Sequence, residues 1–141
     1  YKHLMQGDQD SAEAHRQFYD EYNAVLDMPA EYYLDTVRIV FQDFLLPRGE
    51  WNIREQRVDP GAITKTALFT IEGELDDISG NGQTEAAQSL CSGIPKTRRK
   101  HLLVKGVGHY GIFSGRKFRT IIYPQISQFV QKQMRSKKQL A

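Results

Sequence analysis

Two side chains able to move protons stand at matching places in the sequence. Asp76 follows the short apolar run Thr66-Ala-Leu-Phe-Thr-Ile-Glu-Gly73 by way of Glu74-Leu75. His109 follows His101-Leu-Leu-Val-Lys105 by way of Gly106-Val-Gly108. A carboxylate beside an imidazole fixes the ring's tautomer and stabilises the imidazolium. The far ring nitrogen can then take a proton from a nucleophile and return it to a leaving group. Asp76 is the candidate acid rather than Asp77, because the turn Gly73-x-x-Asp76 sets it just past the run. The glycines around His109 are expected to let the backbone turn tightly and bring the imidazole back over the strand ends. The two groups should therefore meet side by side on one rim of a sheet.

That placement needs strands ending where these loops begin. Ala67-Leu-Phe-Thr-Ile71 is a continuous apolar run, as expected of a parallel strand buried on both faces. A helix at about 83–92, carrying Ala87, Leu90, Cys91 and Ile94, leads to a second strand at about 100–105. A last helix opens after Gly115 with Phe118, Ile121, Ile122, Ile126, Phe129 and Val130 inward, and Pro124 should kink or split it. Strand, helix, strand, helix with apolar strands is α/β. Ahead of this core, residues 11–28 read as an amphipathic helix with Phe18, Tyr22, Val25 and Leu26 at helical spacing, interrupted by Met28-Pro29. A second helix, about 30–45, puts Tyr33, Val37, Val40, Phe41 and Phe44 on one face and ends at Pro47-Arg-Gly49. Residues 48–64 read as turn-rich and irregular, punctuated by Asp59-Pro60-Gly61.

An acid at one strand exit and a His at the next is the back end of an α/β-hydrolase triad, whose chain order is nucleophile, acid, His. The nucleophile is then expected N-terminal to Asp76, yet no G-x-S-x-G or equivalent Cys elbow occurs in the 141 residues. A complete fold of that kind needs about eight strands and well over ~200 residues, and the chain opens on Tyr1. The expectation is the C-terminal part of an α/β-hydrolase, separated from its nucleophile.

Other motifs carry less. Gly106-Val-Gly108-His-Tyr-Gly111 spells G-x-G-x-x-G, but no acid follows Glu85 to hold a ribose, so it is not a dinucleotide site. Asp77-Ile-Ser79-Gly-Asn81-Gly82 imitates half a calcium loop, yet its twelfth position is Gln88; it reads as a turn and the cap of the next helix. Cys91 reads as a buried, inert thiol, and a lone cysteine excludes an internal disulfide. His3 and His15 read as surface groups and His101 as a strand residue; no spacing suggests a metal site, and no cofactor is expected. Tyr32, Tyr33, Phe41, Phe44 and Trp51 could line a pocket for an apolar chain, although aromatic residues at helical spacing are first of all core packing.

Charge is divided steeply along the chain. Residues 1–85 hold all 17 acidic groups and seven basic ones, a net −10, while 86–141 hold the other 12 basic groups and no acid, a net +12. No nucleic-acid motif accompanies the basic half, so nucleic acid is not expected as a partner. Two oppositely charged halves packing together, with Arg135-Ser-Lys-Lys138 as a solvated tail, is the plainer reading. No apolar run approaches the ~18 residues of a membrane span. An unpaired sheet edge would favour homodimers or strand exchange.

Phe18-Tyr-Asp-Glu-Tyr22, Met28-Pro-Ala-Glu31, Gly73-Glu-Leu-Asp-Asp-Ile-Ser-Gly80, Gly82-Gln-Thr-Glu-Ala86, Leu90-Cys-Ser-Gly-Ile-Pro95 and Gly106-Val-Gly-His-Tyr-Gly-Ile-Phe113 together resemble the C-terminal region of intracellular polyhydroxyalkanoate (polyhydroxybutyrate) depolymerases, over about residues 15–131. The resemblance implies an α/β-hydrolase that cleaves 3-hydroxyacyl esters of a storage polyester at granules in bacterial cytoplasm, with Asp76 and His109 as triad acid and base. The nucleophile and oxyanion donors would lie in a part this chain does not contain. Residues 1–58 would be a helical cap and 59–141 the core, with Tyr33, Phe41, Trp51 and Tyr110 touching polymer. Polyhydroxyalkanoate synthases, which share the triad order and run acyl transfer the other way, are the alternative enzyme. A non-catalytic module binding a granule or another anionic surface through the basic half is the alternative from a different class.

Overall fold

The computed structural model describes residues 9–24 and 27–138. Its contacts group the chain into two units, Tyr1–Leu45 and Leu46–Ala141.

In the first unit α1 spans Gln9–Asn23, so it stops ahead of Met28-Pro29 rather than running to 28. Phe18 lies exposed on it; Val25 and Leu26 fall outside the described residues, as does His3. His15 is exposed, with Tyr19 edge-on at 4.8 Å. Helix α2 spans Ala30–Thr36 and opens directly after Pro29, which needs no N–H there. It widens into a π-helical segment, Val37–Gln42. The Asp43 N–H reaches back five residues to the Arg38 carbonyl at 2.8 Å, and Arg38 pairs with both Asp35 and Asp43. Phe44 then adopts a left-handed backbone, φ 52°, which no helix continues. The expected single apolar face is broken for these two reasons: Tyr33, Val40, Phe41 and Phe44 are exposed, and only Val37 is half-buried.

A four-residue turn of helix, α3 (Leu45–Arg48), is followed by a hairpin where an irregular stretch was expected. Strands β1 (Asn52–Ile53) and β2 (Gln56–Arg57) pair antiparallel. Arg54 and Glu55 between them both take positive φ, 48° and 65°, the twist a two-residue hairpin demands. The Asp59 carboxylate then accepts the Gly61 N–H at 2.8 Å and caps the 3-10 turn Pro60–Ala62.

The site rests on β3 (Leu68–Gly73) and β4 (Arg99–Val104), paired in parallel from Leu68↔Arg99 to Gly73↔Val104. Between them α4 spans Ala86–Leu90, shorter than expected. Its first N–H groups, of Ala86, Ala87 and Gln88, are met by the Gly82, Thr84 and Glu85 carbonyls of the preceding turn, with no side-chain cap; Glu72 of β3 instead gathers the N–H groups of that turn. The Glu72 carboxylate accepts the N–H groups of Gly82, Thr84 and Glu85 at 2.9, 2.6 and 2.7 Å.

The strand pair is therefore not apolar on both faces. One face carries Ile71, Leu102 and Val104 onto Val107, Ile112, Phe118, Ile122 and Ile126, and Phe69 onto Phe129 at 5.1 Å. Ile122 is fully buried, worth on the order of 2 kcal/mol in hydrophobic burial. The opposite face carries a polar chain: the Gln88 amide donates to the Thr70 hydroxyl and the Lys100 carbonyl, both at 2.8 Å. Thr70 is bonded to His101 Nδ1 at 2.9 Å, and His101 faces Glu72 at 3.9 Å.

After β4 the chain forms α5 (Gly115–Lys117), a π-helical segment Phe118–Ile122, and α6 (Tyr123–Lys138). The helix thus divides just before Pro124. Pro has no N–H to continue the ladder and its ring crowds the carbonyl four residues back, which the wider π turn accommodates. Ile121 and Val130 are exposed rather than inward. Among the described residues no helix is long and apolar enough to cross a membrane.

Glu72 gives a measurable expectation. Burial opposes its charge, but the three backbone N–H groups and then the nearby His101 outweigh burial and hold the carboxyl below the usual range. A depressed carboxylate contributes stability that is fully present above about pH 4 and is lost as pH falls through the lowered value. Gln at this position turns one acceptor oxygen into a donor. Glu72→Gln should therefore lower stability at pH 6 by about 2 kcal/mol and flatten the loss on going to pH 3, read as thermal midpoints. A parallel acid profile in the two proteins would contradict this.

Candidate active site

Asp76 and His109 leave the carboxyl ends of neighbouring parallel strands, where loops in open α/β sheets carry their chemistry. The two loops are stitched to each other by the backbone. The Glu74 N–H donates to the Val104 carbonyl at 3.0 Å and the Leu75 N–H to the Val107 carbonyl at 2.9 Å. The Glu74 carboxylate accepts the Gly106 N–H at 2.8 Å, and the Lys117 ammonium donates to the carbonyls of Lys105 and Gly106 at 2.8 and 3.1 Å. Gly73 permits the approach: a Cβ there would lie 2.4 Å from the Val107 carbonyl oxygen. Of the glycines near His109, Gly106 holds the left-handed backbone, φ 63°. Gly108 is extended, so the tight turn sits three residues ahead of the histidine rather than beside it.

The result is direct contact. His109 Nδ1 stands 2.9 Å from Asp76 Oδ2 and 3.2 Å from Oδ1. Oδ1 also accepts the N–H groups of Ile78 and Ser79 at 3.0 and 2.8 Å, so the carboxylate is fixed from two sides. Asp76 is 8% exposed. Burial raises its pKa, but the Ser79 N–H, the His109 contact and the Ile78 N–H together hold the carboxyl below its usual range. An ionised Asp76 only accepts, so Nδ1 carries the hydrogen, and in a neutral ring Nε2 is then the acceptor.

The remaining candidates are distributed unevenly. Tyr110 stands edge-on to the imidazole, ring centroids 5.5 Å apart. Phe113, which spacing alone did not single out, lies nearly as close, at 5.8 Å. Trp51 is half-buried ahead of the small hairpin, its carbonyl accepting the Val58 N–H at 2.8 Å. Tyr33 and Phe41 belong to the first unit, both exposed. Cys91 is half-buried at the end of α4. Glu72 is a buried carboxylate that periodicity did not single out, since a lone acid in an apolar run carries no sign of its partners. No group of His, Cys, Asp or Glu among the described residues is arranged to hold a metal ion.

A family model described as PHB de-polymerase C-terminus matches residues 1–134. No curated protein and no solved structure matches the chain.

Proposed function

The chain belongs to the PHB depolymerase C-terminus family, and from that premise we propose that it supplies the acid and the base of an ester hydrolase acting on poly-3-hydroxybutyrate. The observation that carries this is the 2.9 Å contact of Asp76 with His109 across the exits of β3 and β4. In the proposed reaction a Ser or Cys from an N-terminal segment attacks the ester carbonyl as His109 Nε2 takes its proton. The proton passes to the departing alcohol, leaving an acyl-enzyme. Water, deprotonated by the same nitrogen, then releases the acid. Asp76 keeps Nδ1 protonated and stabilises the imidazolium at each stage.

Residues 59–141 are the end of an α/β-hydrolase core in this reading, and 1–58 a helical cap whose Tyr33 and Phe41, with Trp51 and Tyr110, touch polymer. The whole protein works at storage granules in the cytoplasm. The chain alone, without nucleophile or oxyanion donors, cannot form the acyl-enzyme, and its uncovered sheet edges favour dimers or strand exchange.

The test compares this chain with the protein that also carries the nucleophile-bearing segment. The expected result is release of 3-hydroxybutyrate units from amorphous polymer by the second and no turnover of p-nitrophenyl butyrate by the first. Turnover by the isolated chain that His109→Ala abolishes would contradict it. One observation favours a second reading, an anion-binding module. A cavity of about 330 Å³ is lined by Arg99, Lys100 and Lys132 with no carboxylate. Salt-sensitive binding to anionic vesicles, lost when Arg98, Arg99 and Lys100 are neutralised, would support that reading.

A further inference from the structure

We propose that Phe113 is a specificity-determining residue, its ring selecting esters by the apolar part of the acyl chain that lies beside the His109 imidazole. The proposal rests on the ester-hydrolase reading of Asp76 and His109. Phe113 ends the 3-10 turn His109–Ile112, where its N–H donates to the Tyr110 carbonyl at 3.1 Å. That turn fixes its position relative to the histidine by backbone alone. Its ring stands 5.8 Å from the imidazole, inclined at 65°, yet the residue is 66% exposed and belongs to no part of the core around Ile122. Leu75 and Ile78, on either side of Asp76, are 64% and 59% exposed. Both arms of the acid–base pair thus present apolar side chains to solvent.

The reaction says what meets that ring. Proton transfer needs the attacked ester within about 3 Å of Nε2. Apolar groups touch when their heavy atoms come within about 4 Å. Alkyl groups flanking the reacting bond therefore reach a ring that stands edge-on beside the imidazole. An uncharged, alkyl-bearing acyl chain removes apolar surface from water by covering Phe113. A two-carbon acyl group is too short to do so. The substrate class is thus an ester whose acyl part carries several apolar carbons, as a 3-hydroxyalkanoate chain does.

The experiment uses the protein that carries both this chain and the nucleophile-bearing segment. It measures kcat/KM for p-nitrophenyl hexanoate and p-nitrophenyl acetate in the wild type, Phe113→Ala and Phe113→Leu. The expected result is a hexanoate-to-acetate ratio about tenfold lower in Phe113→Ala, with Leu, which restores apolar area without a ring, recovering most of it. Rates falling together at a constant ratio would mean that the ring only positions the imidazole, and would overturn the proposal. So would a ratio untouched in both variants. His109→Ala keeps the two ideas apart. Loss of both activities there sustains the hydrolase reading whatever Phe113 does, whereas retention of both removes the reading and the proposal with it.

Discussion

Replacing His109 with alanine in the intact protein should lower kcat for p-nitrophenyl butyrate by at least about four orders of magnitude while leaving the protein folded. The size of the effect follows from the number of steps that use one nitrogen. In the proposed reaction Nε2 is the base in acylation, the acid that protonates the leaving alcohol and the base that activates water. The fold should survive because the imidazole is half-exposed, and its hydrogen-bonded partner, Asp76, keeps the N–H groups of Ile78 and Ser79. The check is kcat beside a thermal midpoint. A variant within about tenfold of wild type would mean that another group moves the proton.

Asp76→Asn should cost about 10⁴ in kcat by a different route. The Asn side-chain oxygen can still accept from Ile78 and Ser79 in the place of Oδ1, which leaves an NH₂ group facing His109 Nδ1. That geometry rewards an unprotonated Nδ1, so the ring hydrogen moves to Nε2. The nitrogen facing the nucleophile then holds a proton it should be taking, and the imidazolium loses its counter-charge. The loop keeps its shape, so the midpoint at pH 7 should move little compared with the rate. Full activity in this variant would assign the buried carboxylate to loop structure alone.

Much of the site was legible because it obeys local rules. Two apolar runs, each closed by a Gly-containing turn, gave two parallel strands, and the acid and histidine, three and five residues past them, fell on one rim. Residues further from local rules were not legible. The β1–β2 hairpin turns on Arg54-Glu55, where the usual signal is Asn or Gly able to take positive φ cheaply. Both π-helical segments follow from hydrogen bonds five residues apart, to which a 3.6-residue period is blind. Their presence is why Phe41, Ile121 and their neighbours miss the faces assigned to them. Glu72 defeated the pattern of a strand apolar on both sides: its partners lie ten to thirteen residues on, in a turn whose N–H groups it gathers. The cap of α4 was expected from the loop, and the loop's carbonyls at Gly82, Thr84 and Glu85 do meet the helix's first N–H groups; not legible was that Glu72 holds that loop from the sheet.

What joins these pieces is the stitching between the two strand exits. The Glu74 carboxylate takes the Gly106 N–H across the two loops, the Lys117 ammonium fixes the Lys105 and Gly106 carbonyls, and Gly73 leaves room for the Val107 carbonyl. The acid–base contact is thereby built into the ends of rigid elements before any substrate arrives.

The most direct test of Asp76 and His109 as one working unit is a double-mutant cycle on kcat in the intact protein. Groups that act together in one proton transfer are grossly non-additive. The expected result is an Asp76→Asn/His109→Ala double variant no slower than His109→Ala alone, within about threefold. Losses that multiply, giving a double variant slower by about the product of the two single effects, would contradict a shared role, as would either single variant retaining the wild-type rate.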